Sequence, residues 1–183
     1  MKLMFASDLH GSFTYTQKVI EAYQEEQAEK LILLGDLLYH GPRNSLPAGY
    51  DPQKVADLLN SVKAQLLCVR GNCDADVDQM VLAFPIMADY MILYLSGRMI
   101  FVTHGHLYHQ DHLPMLKQGD VLLHGHTHVQ AMDDRGDYYY LNPGSAALPK
   151  DGNAPSYMIW EDGVFTIKDM ERRPLRTLDL SRR

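Results

Sequence analysis

The sequence predicts a mixed α/β fold built from two packed β-sheets. Three observations carry that expectation. The first half alternates short apolar runs with stretches of helical periodicity, the rhythm of right-handed βαβ units on a parallel sheet. The second half carries short apolar runs separated by Gly, Asp and Asn, with little helical signal. No linker or internal repeat divides the 183 residues, so the chain is expected to form one domain, 1–183.

The elements follow in order. The run KLMFAS (2–7) is a buried strand that stops at DLHGS. Residues 14–28 place Val19, Ile20 and Tyr23 on one helical face and Glu and Gln on the other. KLILLG (30–35) is a second strand, and the Gly- and Pro-dense GPRNSLPAGYDPQ is a loop. Asp51 and Pro52 supply an N-cap and a first-turn proline to a helix whose apolar side is Val55, Leu58, Leu59 and Val62. QLLCVR (65–70) is a third strand. YMILYL and RMIFVT flank Ser96-Gly97, which predicts a hairpin with a two-residue turn. DVLLHG, DYYYLN, SYMIWE and VFTIKDM are expected to continue as an antiparallel meander, and the tail ERRPLRTLDLSRR as a solvated end.

Composition narrows the function. The formal charge is −6 and the pI about 5.8, so nucleic acid is not expected as the main partner. Two cysteines, Cys68 and Cys73, are too few for a disulfide framework. The N-terminus has no apolar stretch of signal-peptide length, and no run approaches a membrane span. A cytoplasmic location without membrane contact is the expectation. Apolar surface on the antiparallel edge is compatible with a homo-oligomer.

The chemistry lies where the apolar runs end. The stretch VLLHGHTHVQ (121–130) holds three histidines in five residues, either a His-rich turn or part of a metal site. Ligands elsewhere decide between them. The first run ends in Asp8-x-His10, the second in Gly35-Asp36 and the third in Gly71-Asn72; MIFVT ends in His104-Gly105-His106 and VLLHG in His126-x-His128. Five strands thus deliver metal-competent side chains at their carboxyl ends, where α/β sheets bind ligands. In extended chain, i and i+2 point the same way, which would bring Asp8 to His10 and His126 to His128. Each piece alone is weak; all five in order leave chance remote.

The ordered set SDLHG, GDLLYHG, RGNCD, THGH and GHTH resembles the calcineurin-like metallophosphoesterase signature. The resemblance runs to at least LNPGS at 141–145 and, with no inserted cap, is nearest the small bacterial and archaeal phosphodiesterases. It implies an αββα sandwich, with helices outside two mixed sheets. It also implies that Asp8, His10 and His128 hold one metal, that Asn72, His104 and His126 hold a second, and that Asp36 bridges. His124 has no ligand role in the pattern and is expected to pack in the strand; His40, His106, His109 and His112 are expected beside the site or in loops. The implied cofactors are two divalent ions, Mn²⁺ by resemblance, with Zn²⁺, Fe²⁺ or Co²⁺ compatible with the nitrogen and oxygen donors. Those ions, less the charge of Asp8, Asp36 and a bridging hydroxide, leave a centre near about +1, suited to a small phosphodiester attacked in line by the hydroxide. A phosphomonoesterase and a non-catalytic scaffold of the same fold are the alternatives. The arginine of the protein-phosphatase branch is not matched, because Arg43 is displaced in GDLLYHGPRN. One departure stands out: Cys73 occupies the place where many relatives carry a catalytic histidine, either as a poor acid or as a small filler.

Overall fold

The computed structural model describes residues 1–181. Strands β1 (Lys2–Ala6), β2 (Lys30–Leu33) and β3 (Leu66–Cys68) pair in parallel, as the βαβ rhythm requires. Helix α1 (Phe13–Glu26) starts where Ser12 Oγ accepts the Tyr15 N–H and stops at left-handed Gln27. Helix α2 (Pro52–Ser61) is capped by Asp51, which accepts the Lys54 N–H at 3.2 Å. Strand alternation then sorts the side chains. Met4, Ala6, Leu31 and Leu33 face the helices and pack with Val19, Val55 and Leu59. Leu3, Phe5, Ile32 and Leu34 face a second sheet and pack with Val102, Val121 and Leu123. Two apolar layers therefore sandwich the first sheet.

The second sheet opens with the expected hairpin, β4 (Tyr90–Leu95) and β5 (Arg98–Thr103). Ser96 at φ 49° and Gly97 at φ 76° give it a turn with both central residues left-handed. Strands β6 (Asp120–Leu123), β7 (Gln130–Asp134) and β8 (Tyr138–Pro143) complete the order β4-β5-β6-β8-β7.

The meander expectation fails here. Strand β6 is parallel to both β5 and β8: the 104–119 loop returns the chain from β5, and antiparallel β7 returns it from β6. The last strands, β9 (Ser156–Glu161), β10 (Val164–Asp169) and β11 (Pro174–Asp179), leave that sheet altogether. They extend the first sheet to β11-β10-β9-β1-β2-β3, with β9 antiparallel to β1. Both sheets are mixed. Residues expected as a solvated tail form edge strand β11, held by its ladder to β10. A short helix, α3 (Asp76–Val81), has no buried residue to betray it in the sequence.

Helices α1 and α2 cover the six-stranded sheet. On the outer face of the five-stranded sheet, the 104–119 loop sets Tyr108 edge-on against Phe101 and Tyr90, while Ile92 and Tyr94 stay exposed. No helix of the described residues is long and apolar enough to cross a membrane.

Candidate metal centre

Asp8 and His10 follow β1, Asp36 follows β2, Asn72 follows β3, His104 follows β5, and His126 and His128 follow β6. The convergence is real, but not through extended alternation. Asp8, His10, Asp36, His126 and His128 all have left-handed backbone, with φ between 47° and 65°. Asp and His are among the few residue types that accept this region. The turns interlock: the Asp8 N–H donates to Gly35 O at 3.1 Å and the His10 N–H to Asp36 O at 2.9 Å. Gly71 presses on Asp36 so closely that any side chain there would overlap the carboxylate.

Hydrogen bonds fix which atoms face inward. Asp8 Oδ2 accepts from Ser7 Oγ at 2.6 Å and from the His126 N–H at 3.1 Å. Oδ1 is buried with no hydrogen-bond partner. Nδ1 of His10, His104 and His128 lies 2.8, 2.7 and 2.6 Å from the carbonyls of Tyr39, Leu34 and Leu148, so each Nδ1 carries the proton and donates it. The three Nε2 lone pairs then meet other acceptors. His10 Nε2 is 3.2 Å from His128 Nε2, which is 3.3 Å from Asp8 Oδ1. His104 Nε2 is 3.1 Å from Asn72 Oδ1 and 3.5 Å from Asp36 Oδ2, which is also 3.6 Å from His10 Nε2. Acceptors aimed at acceptors in a dry pocket are repulsive unless a cation lies between them. These residues fit divalent metal.

Electrostatics agrees. Against the opposing effect of burial, the imidazoles of His10 and His128 hold the Asp8 carboxyl well below the usual carboxylate range. Burial would lower the His10 pKa, but the Asp8 carboxylate outweighs it and raises it. The pocket therefore stabilises positive charge. Three ligand-atom groups are close enough to share an ion: Asp8–His10–His128, Asp8–Asp36–His104 and His10–Asp36–Cys73. His126 is in none of them. Its ring is 5.1 Å from that of His104, it lines the same cavity of about 310 Å³, and burial pushes it down to about 4, leaving it neutral.

A family model for the calcineurin-like phosphoesterase superfamily domain matches residues 1–162. This chain belongs to that superfamily. Among curated proteins it is similar to phosphodiesterase YfcE of Escherichia coli K12, 49% identical over 167 residues and covering 91% of each chain. It is 28% identical over 153 residues to phosphodiesterase MJ0936 of Methanocaldococcus jannaschii, covering 79% of this chain and 83% of that one. Among solved structures, that of the E. coli phosphoesterase Yfce superposes with a TM-score of 0.95 at 45% identity, covering 98% of this chain and all of that one. At 21% identity, a Vps29 from Entamoeba histolytica shares the fold with a TM-score of 0.59, covering 91% of this chain and 90% of that one.

In this calcineurin-like phosphoesterase, Cys73 does sit at the centre. Its N–H donates to Asp36 Oδ1 at 2.8 Å, and its Sγ accepts from Asn72 Nδ2 at 3.3 Å. Burial and the Asp36 charge push the thiol up to about 12, so it stays protonated. His124 packs in the core as expected, its Nδ1 3.0 Å from Gly125 O and its ring 4.5 Å from Tyr140. His106 lies beside the rings of His104 and His126, whereas His109 and His112 pair with each other in the loop. His40 stacks edge-on against Tyr50. Asp74 closes the RGNCD motif, but the sequence reading gave it no role. Its buried carboxylate accepts the N–H groups of Asp36, Leu37 and Gly71 at 2.7–2.8 Å, bolting the β2 turn to the β3 turn. An Asp three residues after a turn glycine, able to cap local N–H groups, was the available signal.

Proposed function

We propose that this calcineurin-like phosphoesterase is a phosphodiesterase working through two divalent cations. The observation that carries the reading is the set of buried lone pairs, three Nε2 atoms and two carboxylate oxygens, aimed at one another. Asp8, His10 and His128 would hold one ion, and Asn72, His104 and His126 the other, with Asp36 Oδ2 between His10 and His104. When bound, such ions acidify a water and polarise a phosphoryl group. The chain's own groups aim the donor atoms inward, exclude water and orient the ester. With Asp8 and Asp36 ionised, the net positive charge suits a small diester monoanion. The curated relatives named phosphodiesterases support this substrate class.

Mn²⁺ is the ion we favour, with Zn²⁺, Fe²⁺ or Co²⁺ suited to the same donors. Two free thiols support a cytoplasmic setting. Cys73 holds its proton and releases it poorly, so the leaving group departs with little help from it. The test compares aryl mono- and diesters with the metal-loaded enzyme. We expect the diester to be turned over faster, and activated aryl esters faster than alkyl ones. A monoester preference would replace this reading with the phosphatase alternative, and no turnover of either with metal bound would leave the scaffold.

A further inference from the structure

The cavity over the metal centre has a wall the proposed chemistry does not use. Arg43 and Lys150 come from separate loops and both line it. Several basic side chains elsewhere meet carboxylates: Lys168 is 2.7 Å from Glu26, Arg172 2.8 Å from Glu25 and Arg173 2.7 Å from Asp169. Among the described residues, neither the Arg43 guanidinium nor the Lys150 ammonium has an ion pair or side-chain hydrogen bond. The single carboxylate lining the cavity is Asp36, and it faces His10 and His104. What sets these two apart is their place: both exposed side chains line the cavity that holds the candidate metal ligands.

Both are also placed by the site itself. The Lys150 N–H donates to His128 O at 3.1 Å, so the segment is tied to a candidate ligand. Arg43 sits inside a turn closed from Asn44 N–H to Gly41 O at 3.3 Å and clamped by Asn44 Nδ2 on His40 O at 2.8 Å. Gly41, at φ 81°, lies against Asn44 and Cys73, so the turn is seated on the metal centre.

We infer that Arg43 and Lys150 recognise a second phosphate, so that the substrate is a small phosphodiester carrying a terminal phosphomonoester on its non-leaving arm. The inference rests on the two-cation phosphodiesterase reading. There the loaded centre, near about +1, is balanced by the scissile diester alone. Two further cations call for about two further negative charges, which a terminal phosphate supplies near neutral pH. A guanidinium presents paired donors to a phosphate, and an ammonium adds a mobile point charge.

The test uses two substrates with the same aryl leaving group, one with a neutral non-leaving arm and one ending in a phosphate. The wild-type enzyme should prefer the phosphorylated substrate by roughly tenfold or more in kcat/KM, mainly through KM. In the double variant Arg43→Gln, Lys150→Gln the preference should fall to within about threefold of parity. Calorimetry on the metal-free proteins gives an activity-independent readout, with pyrophosphate as the probe: the double variant should bind it about tenfold more weakly than wild type. No wild-type preference, or an equal loss on both substrates, overturns the inference and leaves the phosphodiesterase reading standing. Failure of the wild type to cleave either diester overturns the reading beneath it.

Discussion

Asp74 offers the sharpest test of how the centre is built. Asp74→Ala would strip the acceptor from three backbone N–H groups, those of Asp36, Leu37 and Gly71, while Asp74 itself is only 3% exposed. An unpaired buried donor costs about 1–3 kcal/mol, so three cost several. Losing a buried carboxylate and admitting water offset part of that, because burial already pushes the Asp74 carboxyl up. A net destabilisation of about 4 kcal/mol remains. For a chain of this size that is roughly 10 °C in Tm. Asp74→Asn keeps one oxygen but sets an NH₂ against a backbone N–H, so about half the effect is expected. Thermal unfolding in chelator, followed by circular dichroism, reads the fold without metal linkage. Metal titration of the same variants should show weakened binding, because Asp36 loses the anchor of its N–H. A Tm loss below about 3 °C for the alanine variant would refute the bolt account.

Other outcomes follow from the same geometry. Cys73→His should raise the rate by up to about 10²-fold, since imidazolium is a better acid near pH 7 than a thiol pushed up to about 12; an unchanged rate with metal and fold intact would rule out a missing acid. Burial holds His124 down to about 4, below its unfolded value near 6.5, so the unfolded chain binds the extra proton first as pH falls. His124 alone should therefore cost the metal-free protein about 3 kcal/mol between pH 6.5 and 4. His124→Phe should remove that share in urea titrations and leave the His126 share, while Asn142 Nδ2 still serves Gly125 O at 2.7 Å. Chelator-treated enzyme should be inactive and recover better with Mn²⁺ than with Mg²⁺, which prefers oxygen donors; equal recovery would mean the imidazoles are not ligands.

What the sequence disclosed, and what it hid, divides by range. The Val55–Leu59 stripe, the Asp51 cap and the Ser96-Gly97 turn are local devices and appear in the structure where the pattern put them. Long-range pairing has no such mark. Nothing in SYMIWE says that it will cross to β1 rather than stay beside β8, since one strand's apolar run fits either sheet. Strand β11 was hidden because edge strands are polar and exposed, and β7 (QAMDD) because its charges resemble a loop. At the site, residue types at strand ends pointed to the close group of Asp8, His10, Asp36, His104 and His128. The backbone that converges them was not legible, because left-handed turns at Asp and His leave no periodicity.

Those left-handed turns also limit what the ligands can be. Carboxylate and imidazole are good donors for a divalent ion, yet Glu would serve as well as Asp, and Cys would suit zinc. At Asp8, His10, Asp36, His126 and His128 the main chain has its own requirement, at φ between 47° and 65°. Most side chains meet that conformation with a penalty of order 1 kcal/mol or more, while Asp and His tolerate it comparatively well. Swapping in a longer acid or a thiol would then cost twice, once in reach and once in backbone. Among metal donors, five positions thereby favour Asp, Asn and His before any ion arrives. Changing the metal preference of such a site is easier through the residues around these turns than through the ligands on them.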